Sequence, residues 1–305
     1  MVVQGNVAEG SVVVGVDGSQ ESFRAVDWAV SYARDNALDV RVVHAYGGAG
    51  GVALTLELAA QSAATGHVEP ARELLAAAVD HARSLVDALG PDGHQVQVEG
   101  VLHLGAAAGA LREESRRASV VVVGSRGHGG LTGLLRGSVA VPGSAHAACP
   151  VVVVRGAVPR ELSADAPVVV GVDGSGEALA AVGFAMAEAQ RHRCPLVAVL
   201  AWDELWIGAP ELQAPVPTVA ELPEEAVRMV SETLAGWTEE YPDVRVTRVV
   251  ERGRAAPVML REAVGARLVV VGSRGRGGFG GLLLGSTSQT LLHRSPVDVA
   301  VVRRS

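Results

Sequence analysis

Apolar residues in this chain gather into short solid runs separated by amphipathic stretches. Val12 to Val16, Val120 to Val123, Val151 to Val154, Val168 to Val172 and Leu268 to Val271 are almost pure valine and leucine, broken only by glycine. Runs of that length predict strands buried on both faces, as in a parallel sheet. Val40 to Ala45, Leu196 to Trp202, Val244 to Glu251 and Val297 to Val302 are further predicted strands. Gln95 to Leu102 alternates polar and apolar residues and predicts a strand exposed on one side. Between the runs, helical spacing predicts helices over Gln20 to about Asp35, near Glu69 to Leu89, and over Ala106 to Arg117. Three more run to about His192, to about Tyr241, and over Pro257 to Val264. Ser19 is the expected N-cap of the first helix. Strand and helix alternate throughout, which predicts an α/β chain with mostly parallel sheet and right-handed crossovers.

The pattern occurs twice. Val12-Val13-Val14-Gly15-Val16-Asp17-Gly18-Ser19 recurs unchanged as Val168 to Ser175, and residues 120–138 match 268–286 at fourteen of nineteen positions. Asp17 and Asp173 stand 156 residues apart, Gly124 and Gly272 only 148. The first copy therefore carries eight extra residues between its motifs, expected in the Gly-rich stretch from Gly47 to Gly66. The expected organisation is a first domain over 1–155, a linker over 156–166 with prolines and mixed charge, and a second domain over 167–305.

Composition narrows the function. The chain has 305 residues, enough for two domains with separate cores, and aromatic residues make up only 3% of it. No apolar run approaches the length of a bilayer span, and the first residues lack the basic-then-apolar pattern of a signal peptide, so a cytoplasmic chain without membrane contact is expected. A formal charge of −7 argues against a nucleic-acid partner. Lysine is absent, which excludes a Walker-type phosphate loop. Cys149 and Cys194 each precede a proline at a strand start and are expected to be buried free thiols, with no metal site among them.

The chemistry concentrates after the fourth strand of each copy. Gly124-Ser125-Arg126-Gly127 is followed by nine residues and then Gly137-Ser138; the second copy repeats this as Gly272-Ser273-Arg274-Gly275 and Gly285-Ser286. Glycine admits a ligand close to the backbone, successive N–H groups form an anion site, and a helix opening at Ser138 or Ser286 adds its positive end. Each copy thus reads as a phosphate cradle. Asp17 and Asp173 end the first strand on the same rim, where open α/β sheets bind ligands. There a carboxylate can accept hydrogen bonds from a ribose or adenine, or hold Mg2+ against phosphates; alternatively it closes an Asx-turn. Arg126, Arg274 and Arg276 are candidates for phosphate contact or for solvated surface charge. His44, His146 and His293 are read as packing or capping residues. The glycines follow the fourth strand rather than the first, which disfavours a nucleotide dehydrogenase, and no catalytic triad or metal-ligand spacing is present.

A strand ending in Asp, with Gly-x-x-Gly-x9-Gly-Ser late in each copy, resembles the universal stress protein family, in its tandem, ATP-binding branch. The resemblance implies two Rossmann-like (adenine nucleotide alpha hydrolase-like) α/β domains, each a five-stranded parallel sheet with flanking helices. It implies adenine beside Gly15, Val16, Asp17 and Ala45, and beside Gly171, Val172, Asp173 and Ala201. Ribose and phosphates would meet Val123, Gly124, Arg126, Gly127, Gly137, Ser138 and Val139. Their counterparts are Val271, Gly272, Arg274, Gly275, Gly285, Ser286 and Thr287. The implied protein is an ATP-dependent regulator of stress response or dormancy, resembling actinobacterial members, and not an enzyme beyond slow hydrolysis. Mg2+ would accompany the ATP, and a homo-oligomer such as a dimer or a protein partner is expected. Two other functions share this sequence pattern: a slow ATP hydrolase or adenylyl-transferring enzyme, and a nucleotide-free interaction module. In the first copy Val141-Pro142-Gly143 falls inside the helix after the cradle, where proline removes a backbone hydrogen bond. The two sites are therefore expected to differ, with both binding ATP.

Overall fold

The structure is a computed structural model that describes residues 10–47, 68–90, 94–126, 144–156, 162–202, 224–276 and 284–304. The chain divides into two compact units, Met1–Arg160 and Glu161–Arg304. In the first, β1 (Ser11–Val16) leads to α1 (Gln20–Asp35), β2 (Val40–Gly47) and α2 (Val68–Ala88). There follow β3 (Val98–Gly105), α3 (Ala107–Glu114), β4 (Ala118–Gly124) and β5 (Val151–Val154). The strands lie in the order β3-β2-β1-β4-β5, every pair parallel. Parallel neighbours need long connections, which is why helices separate them. Val12, Val14, Val120, Val122, Val152 and Val154 are fully buried, as the solid valine runs require. Ala25, Ala29 and Ala33 of α1 are also sealed, small side chains that let the helix lie close on the sheet.

The second unit repeats the plan. Its strands are β6 (Val168–Gly171), β7 (Leu196–Trp202), β8 (Val246–Arg252), β9 (Leu268–Gly272) and β10 (Asp298–Val302). Its helices are α4 (Gly176–His192), α5 (Glu224–Glu240), α6 (Ala255–Glu262) and α7 (Ser286–Arg294). The strand order β8-β7-β6-β9-β10 is the same, again parallel throughout. In each unit strand order reverses between the first and fourth strands, so the rim beyond β1 and β4, and beyond β6 and β9, is where a ligand crevice forms.

Three details depart from the sequence reading. First, the eight extra residues do not lie between Gly47 and Gly66. Val40 and Leu196 open matching strands 156 residues apart, and Val68 and Glu224 open matching helices at the same spacing, whereas Val98 and Val246 are 148 apart. The surplus is split between α2, at 21 residues against 17 for α5, and the connection that follows it. Second, the third strand runs Val98–Gly105, not from Gln95 to Leu102. Before it, Asp39 Oδ1 accepts the Gln97 N–H at 3.0 Å, and pairing with β2 carries the strand to Gly105 opposite Gly47. Its polar residues do not all face solvent: Glu99 is buried. Third, α6 opens at Ala255, two residues before Pro257. A first-turn proline is tolerated because its missing N–H would have no intrahelical acceptor.

Glu99 is sealed because Arg41 comes to it. Arg41 sits opposite Glu99 in the β2–β3 register, donates to Glu99 Oε2 at 2.8 Å and to Glu114 Oε2 at 2.9 Å. His103 Nε2 meets Glu114 Oε1 at 2.9 Å. Burial pushes the Glu114 carboxyl up, but hydrogen bonds from Arg41 and His103 outweigh it and leave it below its ordinary value. Both cysteines are buried free thiols, and burial pushes Cys149 up to about 12.

Candidate functional site

In the second unit the rim is knitted from backbone. Beyond β6, Asp173 Oδ1 accepts the Ser175 N–H at 2.9 Å, an Asx-turn, and Ser175 Oγ in turn accepts the Ala178 N–H at 3.2 Å to cap α4. The other oxygen, Oδ2, accepts the Arg276 N–H at 3.1 Å. Asp173 therefore shapes its own turn and also holds the glycine loop after β9. Gly275 lies so close that a Cβ there would fall on the Asp173 carboxylate. Gly272 is equally tight, with Glu177 Cβ 2.9 Å and the Arg274 carbonyl 3.0 Å from where its Cβ would stand. These are the close approaches that require glycine.

The loop closes on the start of α7. Gly285 donates its N–H to the Ser273 carbonyl at 2.8 Å, and Ser288 Oγ donates to the Gly272 carbonyl at 2.7 Å. Gly285 is the N-cap and offers no side-chain cap. The first N–H groups of α7 at Ser286 and Thr287 accordingly have no intrahelical acceptor, and they carry the positive end of the helix. Arg274, half-exposed, donates to Glu177 Oε1 at 3.2 Å. Arg276 lies over the Asp173 turn, its guanidinium 3.0 Å from where a Cβ on Gly174 would stand. Ala201 pairs with Glu251 one strand away, and beside it Trp202 Nε1 is buried with no hydrogen bond among the described residues.

The first unit keeps the turn and varies its supports. Asp17 Oδ1 accepts from the Ser19 N–H at 3.1 Å and from Ser19 Oγ at 2.6 Å. Ser19 Oγ also lies 3.3 Å from the Arg126 carbonyl, so the serine of the turn reaches the start of the glycine loop. Gly15, at the end of β1, has Leu111 3.1 Å from its missing Cβ, and Gly124 is pressed against Glu21. His44 donates Nδ1–H to the Val16 carbonyl at 2.8 Å and so ties β2 to the end of β1. Ala45 is opposite His103 in the strand register. Val123 sits beside Gly15 across β1 and β4. Gly127, His128, Gly137, Ser138, Val139 and Pro142 lie outside the described residues, as does the stretch 204–223.

Such a rim can hold an anion against uncapped N–H groups and guanidinium, and present a carboxylate and strand ends to the rest of the ligand. Comparison with known proteins agrees with the repeat. A profile of the universal stress protein family matches residues 10–155 and again 166–303. The chain belongs to the universal stress protein family. A universal stress protein of Mycolicibacterium smegmatis is 36% identical over 299 residues, which cover 98% of each chain. One from Mycobacterium tuberculosis is 36% identical over 304 residues, covering 96% of this chain and 97% of its own. The crystal structure of a universal stress protein from Archaeoglobus fulgidus superposes with a TM-score of 0.70 at 20% identity, covering 97% of this chain and 99% of that one.

Within this tandem universal stress protein the second unit brings Asp173, Arg274, Gly275 and Gly285 together, with Ser286 and Thr287 opening α7 at the same place. Gly171, Val172 and Val271 are the strand ends beneath them. Sequence reading passed over Glu177, the ion-pair partner of Arg274. Its signal was available: a glutamate two residues after the Asp-Gly-Ser serine in both copies, Glu21 and Glu177. Among the described residues no group of three or more His, Cys, Asp or Glu could hold a metal ion, and no helix is long and apolar enough to cross a membrane.

Proposed function

We propose that each unit binds one adenine nucleotide, ATP in the working state, at this rim, and that the chain is a cytoplasmic, nucleotide-dependent regulator of stress response or dormancy. The observation that carries the reading is the glycine loop of the second unit. It presses so closely on Asp173 that Gly275 admits no side chain, and it delivers Arg274 and the uncapped start of α7 to one place. Phosphates would occupy the α7 N–H groups and Arg274, as anions do at helix N-termini. Asp173 spends one lone pair of each oxygen inside the chain and keeps others for ribose hydroxyls or a base amine. The base would lie across the ends of β6 and β7, near Val172 and Ala201. Mg2+ would arrive on the phosphates, since the described residues offer it no ligand cluster of their own.

The reading is of binding rather than turnover. Among the described residues no nucleophile, base and orienting group converge beside the loop, and on this reading the chain's own residues hold and sense the ligand. Its natural output is a change in affinity for a protein partner or a second copy of the chain. The test is to denature purified protein and quantify released small molecules, then titrate stripped protein with Mg-ATP. The expected result is adenine nucleotide approaching two per chain. Release of none, together with no binding of Mg-ATP, overturns the proposal; steady hydrolysis that persists at high rate would replace a regulator with an enzyme.

A further inference from the structure

Arg274, a cation of the cradle loop, is already engaged by a carboxylate of its own chain. Its partner Glu177 sits on the first turn of α4, with its Cβ 2.9 Å from where a Cβ on Gly272 would stand. The stem of Glu177 is thus held against the first glycine of the loop, and its carboxylate cannot swing far from the cradle. Glu177 therefore places a carboxylate on the first turn of α4, at the mouth of an anion site. The same placement recurs in the first unit, where Glu21 is pressed on Gly124.

We infer that Glu177 is an internal competitor for the phosphates, and that it sets how the second site discriminates nucleotides by phosphate number. The inference rests on the nucleotide reading above. An ion pair with Arg274 half-exposed is weak, so a phosphate on the α7 N–H groups draws the guanidinium away and binds it as a planar fork. Glu177 then faces the ligand without a partner. Its repulsion grows with the charge on the phosphates and vanishes for a neutral nucleoside. Glu177 is a selectivity residue that touches Arg274 and opposes the ligand without binding it.

The experiment is isothermal titration of the full-length chain and its Glu177→Gln variant with adenosine, AMP, ADP and ATP at low and high salt. The variant is expected to bind ATP roughly fivefold tighter in one of the two sites, AMP less so, and adenosine unchanged, with the gain shrinking at high salt. Arg274→Gln should flatten the dependence on phosphate number. An equal change for all four ligands would make Glu177 a packing residue, and weaker ATP binding would make it a support for Arg274; either overturns the inference while leaving nucleotide binding intact. A wild-type chain that binds none of the four overturns the nucleotide reading and this inference together.

Discussion

Gly275 is the residue on which the second rim depends. A methyl group there must displace the Asp173 carboxylate, which is held from two sides by the Ser175 and Arg276 N–H groups. Gly275→Ala should therefore cost about 1 kcal/mol through the broken Asp173–Arg276 hydrogen bond. Nucleotide stoichiometry should fall toward one per chain; titration that still finds two equal sites would show that the loop can shift freely. Cys149 offers a check at the same scale. Its thiol is pushed up to about 12 by burial, so almost no thiolate exists at neutral pH. Native protein should be nearly inert to a thiol reagent, whereas denatured protein should titrate both cysteines; rapid labelling of folded protein would contradict the burial.

At the scale of elements, corresponding helix pairs are joined by different chemistry. In the first unit Asp27 of α1 meets His81 of α2 at 2.7 Å, with Phe23 edge-on to the imidazole. In the second the same positions are Gly183 and Trp237, and a Cβ on Gly183 would come within 2.5 Å of the indole. Gly183→Ala gains helix propensity but overpacks a rigid ring, so a net loss of about 1 kcal/mol is expected in thermal melts. The β2–β3–α3 cluster gives the pH counterpart. Glu114 is held below its ordinary 4.5, so its stabilisation is complete above that pH and disappears as pH falls through the lowered folded value. Glu114→Gln should cost about 2 kcal/mol at pH 7, and the gap to wild type should close as pH falls through that lowered value. A gap that stays constant with pH would place the effect in packing rather than charge.

That cluster also marks where sequence reading runs out. Valine runs announce strands because nothing else buries so much β-branched surface, and glycines repeated at one spacing announce a loop that tolerates no side chains. Arg41, Glu99, His103 and Glu114 are scattered over two strands and a helix, and only the register brings them together. Alternation along Gln95 to Leu102 assigned Glu99 to solvent, since a single strand cannot show that a guanidinium waits across the ladder. For Glu177 the repeat shows the glutamate but not its partner, because Arg274 comes from the far end of the repeat.

For the whole molecule, each unit has its own valine core and its own rim. Calorimetry of the intact chain should therefore resolve two transitions, with Glu114→Gln lowering one and Gly183→Ala lowering the other. A single peak shifted by both variants would show one cooperative block. The surplus length of the first unit falls where it disturbs least. Four residues in a helix turn it by about 400°, close to one full revolution, so α2 gains a turn while the side it buries stays nearly in phase. That added turn and its connection lie at the end of the sheet opposite the rim. Duplicated halves can thus drift in length there without disturbing the ligand end, and the exposed stretch Leu89–Gly90 is a natural place to splice in a peptide tag or fluorophore that leaves both cradles untouched.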